Sequence, residues 1–160
     1  MISGRLWSVA VGLGVAAVLG GMLAAGAGAA AVPNPCTIVS SSAIAPLFGG
    51  TEPPGKRSTR PSGAVKQSLC TFSRGGAVLE IYIGPHQPSG GSGGPPGMVV
   101  TKPAGLGHGA TFAYDLNPKY AFANAYFTKG AFDAGVWDNG KLRKGDVLSL
   151  ARAVYAALRS

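Results

Sequence analysis

Residues 68–83 read SLCTFSRGGAVLEIYI: two runs rich in β-branched and aromatic side chains on either side of Gly75-Gly76. Apolar and polar positions alternate with a period of two, the pattern of a strand with one buried face. In the second run Leu79, Ile81 and Ile83 fall on one side, and Glu80 and Tyr82 on the other. The stretch is therefore a hairpin, with Cys70 on its first strand.

Further along the chain, AFANAYFT and AFDAGVW flank Lys129-Gly130 and predict a second hairpin. Alanines at 121, 123 and 125 predict close packing beneath it. MVVTK, starting at Met98, and the segment Thr111 to Asp115 add short strands. After a turn at Asp138-Asn139-Gly140 comes DVLSLARAVYAALRS, where Val147, Leu150, Ala151, Val154, Tyr155 and Leu158 recur at helical spacing. Asp146 suits the N-cap, and Arg152 and Arg159 complement the dipole toward the other end.

Before the first hairpin, Thr37 to Phe48 predicts a short helix: serines 40 to 42 cap it, Ile44, Leu47 and Phe48 share a face, and Gly49-Gly50 ends it. Pro46 lacks an amide hydrogen, so that helix must start late or kink. Strands and helices do not alternate as a parallel sheet requires. The expected fold is α+β, an antiparallel sheet of about four to five strands with the short N-terminal helix and the C-terminal amphipathic helix on one face.

Residues 1–31 place Arg5 ahead of an apolar run that ends in alanine and glycine, the layout of a secretory signal peptide. Ala29-Ala30-Ala31 sets the expected cleavage site, with Ala25-Gly26-Ala27 and Ala27-Gly28-Ala29 as rivals. The alternative is an uncleaved membrane anchor, because the uncharged run from Leu6 to Val32 exceeds the roughly 20 residues that span a bilayer. Its alanine- and glycine-rich last third favours processing. Pro33-Asn34-Pro35 before Cys36 breaks the small-residue box that lipid attachment needs. One domain, 32–160, remains, secreted or held in the cell envelope.

Cys36 and Cys70 are the only cysteines, and an even count in an exported chain reads as a disulfide. A loop of about 35 residues closed in this way stabilises a fold by roughly 3–4 kcal/mol. A catalytic thiol needs a nearby base, and only His86 and His108 are available, in glycine- or proline-rich settings. No residue spacing marks a metal site, and no cofactor is implied.

Without Arg5 the domain carries thirteen basic and six acidic side chains, a charge of +7. That balance favours anionic partners, here a cell-wall polymer or a membrane surface. The 26 glycines and 12 prolines concentrate in segments that read as flexible loops, 49–67 and 84–97. The first holds Lys56, Arg57, Arg60 and Lys66, the candidate anion-binding residues, whose bland reading is a solvated charged loop. The second contains Gly90-Gly91-Ser92-Gly93-Gly94, formally a nucleophile elbow, but without the strand, helix and histidine that the chemistry requires. His108 in its glycine-rich turn has no named partner. Tyr114, Tyr120, Tyr126 and Trp137 coexist with basic residues, yet no nucleic-acid module frames them.

Pro35-Cys36 before a helix ending in Leu47-Phe48-Gly49, Cys70-Thr71-Phe72, the segment Gly105 to Ala110 and the helix with Leu150-Ala151 resemble a family of secreted actinobacterial proteins of unknown function, many of them lipoproteins. The resemblance implies a Cys36–Cys70 pair and export to the envelope. A more distant likeness is to extracellular sensor domains of actinobacterial serine/threonine kinases, but the chain carries no kinase. The expected function is that of an exported, non-enzymatic binding or interaction protein whose ligand and protein partner the sequence does not name. Its alternatives are a small-ligand binder, with a lipid or sugar between sheet and helix, and a signal-anchored, sensor-like envelope domain.

Overall fold

The alternation of residues 68–83 extends over a whole sheet in the computed structural model, which describes residues 31–88, 98–115 and 122–159. Its strands are β1 (Lys56–Ser62), β2 (Val65–Arg74), β3 (Ala77–Pro85), β4 (Met98–Thr101), β5 (Thr111–Asp115), β6 (Ala123–Lys129) and β7 (Phe132–Asp138). The helices are α1 (Ser41–Ile44), continued by a 3₁₀ turn (Ala45–Phe48), and α2 (Lys144–Ala157). All pairings are antiparallel, in the order β1-β2-β3-β7-β6-β5-β4. Two meanders thus meet at the β3–β7 seam in the middle of the sheet.

The fold class is the expected α+β, but the sheet has seven strands instead of four to five. The extra strand that matters is β1, inside the 49–67 segment read as a loop. It is an edge strand, exposed along nearly its whole length, so neither of its faces imposes the alternation by which a strand is recognised. Its edge position also tolerates Pro61, which has no N–H to give to a ladder. Ser92 and its flanking glycines lie outside the described residues.

The Gly75-Gly76 turn between β2 and β3 has both residues at positive φ, 58° and 81°, as the tightest hairpin connections require. From it the register runs Cys70–Ile81–Val136–Ala125–Phe112 across five strands on one face. These residues are buried, together with Phe72, Leu79, Ile83, Ala134 and Phe127. Helix α2 covers them through Val147, Leu150, Ala151 and Val154, with Leu158 buried just past its end. Ala123, Ala125 and Ala134 are fully or almost fully buried in the same core, so the alanines serve close packing.

Local details depart from the sequence reading. Pro46 stands at the start of the 3₁₀ turn, which resolves the conflict it poses for one longer helix. Ser40 occupies the N-cap of α1 without a side-chain bond to it. In α2 the N-cap is Arg143, and Asp146 sits in the first turn, where it accepts from Arg143 Nε at 2.9 Å. Arg152 donates to the Ala104 carbonyl at 3.1 Å and ties down the 102–109 loop. Lys129 of β6 supplies the cation near the end of α2, donating to the Tyr155 carbonyl at 2.8 Å.

Cys36 and Cys70 form a disulfide across 34 positions. Cys70 is fully buried beneath the N-terminal strap, and the strap turns on a bond from the Cys36 amide to Asn34 Oδ1 at 3.1 Å. The disulfide suits an oxidising compartment. No helix among the described residues is long and apolar enough to cross a membrane. Replacing both cysteines by alanine is expected to lower stability by about 3–4 kcal/mol. Denaturant unfolding of the oxidised protein and the double variant measures this, and equal midpoints would show that the cross-link contributes nothing.

Candidate functional site

Helices cover one face of the sheet, and among the described residues no helix packs on the opposite one. Glu80, Tyr82, Asn124, Tyr126, Thr128, Asp133, Gly135 and Trp137 share that face by register. The four candidate anion-binding residues all lie exposed on the β1–β2 hairpin, but alternation divides them. Lys56 stands opposite Thr71 and Arg60 opposite Gln67, on the open face, whereas Arg57 stands opposite Cys70 and Lys66 opposite Pro61, on the covered side. They do not form one cluster.

Arg60 joins a constellation that sequence reading missed. With Glu80, Tyr82, Asn124 and Trp137 it lines a concavity of about 260 Å³ at the β3–β7 seam. Tyr82 leans across β7 directly over Gly135. A Cβ at Gly135 would run into the Tyr82 hydroxyl, its ring and the Ala125 carbonyl, so only glycine leaves room for the phenol there. The Tyr82 hydroxyl donates to Asn124 Oδ1 at 3.1 Å. Burial pushes the phenol well above its ordinary range and outweighs the opposing effects of the Asn124 bond and the Arg60 charge. Tyr82 is therefore a neutral donor at any physiological pH.

The Arg60 guanidinium lies 5.4 Å from the Tyr82 ring centre and 3.5 Å from Glu80 Oε2. Arg60 is about half exposed, so the ion pair adds little stability. Its consequence is electrostatic, because the concavity holds one cation and one anion. Trp137, part-buried, completes the lining.

A second polar cluster lies at the end of the same face. Asp133, 4% exposed, accepts from His86 Nδ1, the Gln87 amide and Thr128 Oγ1, each at 2.8 Å. Burial alone would raise its carboxyl; the bonds from Gln87, His86, Thr128 and Tyr126 together outweigh burial and hold it below its ordinary range. This cluster anchors the chain as it leaves β3, an anchor completed by the bond from the His86 amide to the Ala131 carbonyl at 2.8 Å. On the covered face, Asp138 behaves oppositely. Burial raises its carboxyl despite bonds from the Gly140, Leu142 and Lys141 amides, which clasp the turn into α2.

The other sequence candidates stand apart. His108 is exposed in its loop. A further concavity of about 510 Å³, bounded by Pro33, Thr37, Ile38, Phe132, Ala157 and Arg159, lies at the C-terminal end of α2. No group of three or more metal-ligating side chains occurs among the described residues. The signal that could have found the open-face site is the polar half of the alternation: Glu80 and Tyr82 in one hairpin, Asn124, Asp133 and Trp137 in the other. Which of these meet depends on the β3–β7 pairing, which no local pattern encodes. No protein-family model, curated protein or solved structure matches the chain.

Two outcomes follow from this geometry. Gly135→Ala is expected to cost about 1–3 kcal/mol through overpacking, while Tyr82→Phe, which loses one hydroxyl bond, costs about 0.5–1.5 kcal/mol; thermal unfolding ranks the two, and the reverse order would contradict the close approach. Asp133 has a depressed folded-state pKa, so its contribution is fully present above the ordinary carboxyl range and is lost as pH falls through the folded value. Asp133→Asn should therefore destabilise most at neutral pH, with the gap to the parent protein narrowing on acidification. Denaturant unfolding at neutral pH and near the carboxyl range tests it, and a constant gap would assign the loss to packing.

Proposed function

We propose that this is an exported, non-catalytic binding domain of the cell envelope or extracellular space that holds its ligand on the uncovered face of the sheet. The observation that carries the reading is the concavity of Arg60, Glu80, Tyr82, Asn124 and Trp137. A solvated sheet face needs only polar side chains, whereas this one collects an indole, a phenol and three hydrogen-bonding groups around one concavity. Convergent polar groups beside aromatic surface are what a binding site requires. The leader-like N-terminus and the disulfide support export.

Lys56 and Arg60, on the same face as the concavity, provide contacts to an anionic envelope polymer. Arg57 and Lys66 sit on the far side of the hairpin and do not contribute to that surface. The His86–Asp133 pair supports a structural role, since the same carboxylate also fastens Gln87 and Thr128.

Co-sedimentation with isolated cell-wall material and with phosphatidylglycerol vesicles tests the reading. Retention on wall material is expected, and Trp137→Ala combined with Asn124→Ala should weaken it about tenfold or more, the scale of a central contact. Reversing the charge of Lys56 and Arg60 should reduce the salt sensitivity of retention, and reversing Arg57 and Lys66 should not. Retention indifferent to Trp137 and Asn124 would place binding elsewhere.

A further inference from the structure

We propose that the open-face concavity takes a neutral saccharide ring, stacked on Trp137 and held through its hydroxyls by Asn124, Glu80 and Arg60. This deepens the binding reading above and rests on it.

Size comes first. Glu80, Trp137 and Asn124 occupy one cross-strand row on β3, β7 and β6. At a strand spacing of about 4.8 Å the two flanking residues stand about 10 Å apart. Tyr82 packs over Gly135, two positions along β7, and walls the concavity on that side. The volume of about 260 Å³ falls short of the roughly 300–1,000 Å³ of sites for larger organic ligands. The size is that of one ring-sized group.

The hydrogen-bonding groups choose among ring-sized ligands. The Tyr82 hydroxyl occupies Asn124 Oδ1, so the Asn124 amide offers its NH₂ donors to the concavity. The lining also carries the Trp137 indole, whose N–H can only donate, and the Arg60 fork. Glu80 is an acceptor, engaged only by long contacts of 3.5 Å from Arg60 and Thr71. Donors and an acceptor thus surround one ring site. A sugar hydroxyl donates and accepts at once and suits such a mixture. A phosphate or carboxylate only accepts, and would meet the Glu80 charge.

Charge and apolar contact agree with this. Glu80 offsets Arg60, so the site itself lacks the excess positive charge that an anion needs. The C–H bonds on one side of a pyranose carry slight positive charge and pack on the negative face of an indole, the same electrostatics that favours edge-to-face aromatic pairs.

Saturation-transfer NMR and calorimetry on the exported protein, with a panel of neutral mono- and disaccharides beside glucuronate and inorganic phosphate, decide the matter. At least one neutral sugar should bind saturably in the millimolar range, with little change between low and high salt. Trp137→Ala and Asn124→Ala should each weaken binding about tenfold or more. Trp137→Phe, which keeps an aromatic face, should retain part of it, separating the stacking role from any loss of fold in the alanine variant. Salt-sensitive binding of phosphate or glucuronate in preference to every neutral sugar would overturn the ligand class. Absence of sugar binding with wall retention that still depends on Trp137 would overturn the ligand class and leave the open-face reading standing. Absence of both would overturn the two together.

Discussion

Contact between α2 and the alanines beneath it is the constraint from which the rest of this structure follows. Ala123, Ala125 and Ala134 are short enough for the helix to settle directly over β6 and β7. The larger side chains of β2 and β3, Phe72, Leu79, Ile81 and Ile83, then fill the space beside the helix. A helix of 14 residues cannot reach across seven strands. The β2–β3 half is covered by other pieces, the N-terminal strap and α1 with Ile44 and Phe48. Those pieces are too short to hold their place by local interactions alone, which gives the Cys36–Cys70 bond its purpose.

Among the described residues all of that cover lies on one side, and no helix packs on the other. Small polar residues would suffice there. Instead the β3–β7 seam stacks a phenol over a glycine, and the row beside it sets an indole between a carboxylate and an amide. The bond from Tyr82 to Asn124 crosses β7 and links β3 to β6 above the sheet, so the same side chains that brace the seam also shape its concavity. Burial keeps the phenol neutral and fixes which end of the Asn124 amide faces outward. Architecture and recognition geometry share one set of atoms here.

The sequence made the covered face readable and the open face only half so. Leu79, Ile81 and Ile83 announce a buried face because hydrophobic alternation is local, and the stripe from Val147 to Leu158 announces α2 for the same reason. The polar partners of that alternation, Glu80 and Tyr82, are visible as outward-facing, but nothing local says that Trp137 and Asn124 come beside them. That follows from β7 inserting next to β3 after the chain has crossed to the far edge of the sheet. β1 escaped for a different reason: an exposed edge strand buries neither face, so its residues KRSTRPS carry no period. Asp133 and His86, distant in sequence, met through the same long-range pairing.

The basic hairpin illustrates how position decides between two accounts of one charge cluster. Lys56, Arg57 and Arg60 occupy the unpaired edge of the sheet, where charge prevents edge-to-edge association with another chain. That account needs no particular face and explains residues on both. Ligand contact needs one face and explains only Lys56 and Arg60. Arg60 is further distinguished, because it turns inward to Glu80 and the Tyr82 ring and so gives up part of its value as a free edge charge. The divided cluster therefore argues for edge protection as its common role, with Arg60 alone drawn into the concavity, and it shifts the weight of recognition from net charge to the uncharged groups around Trp137.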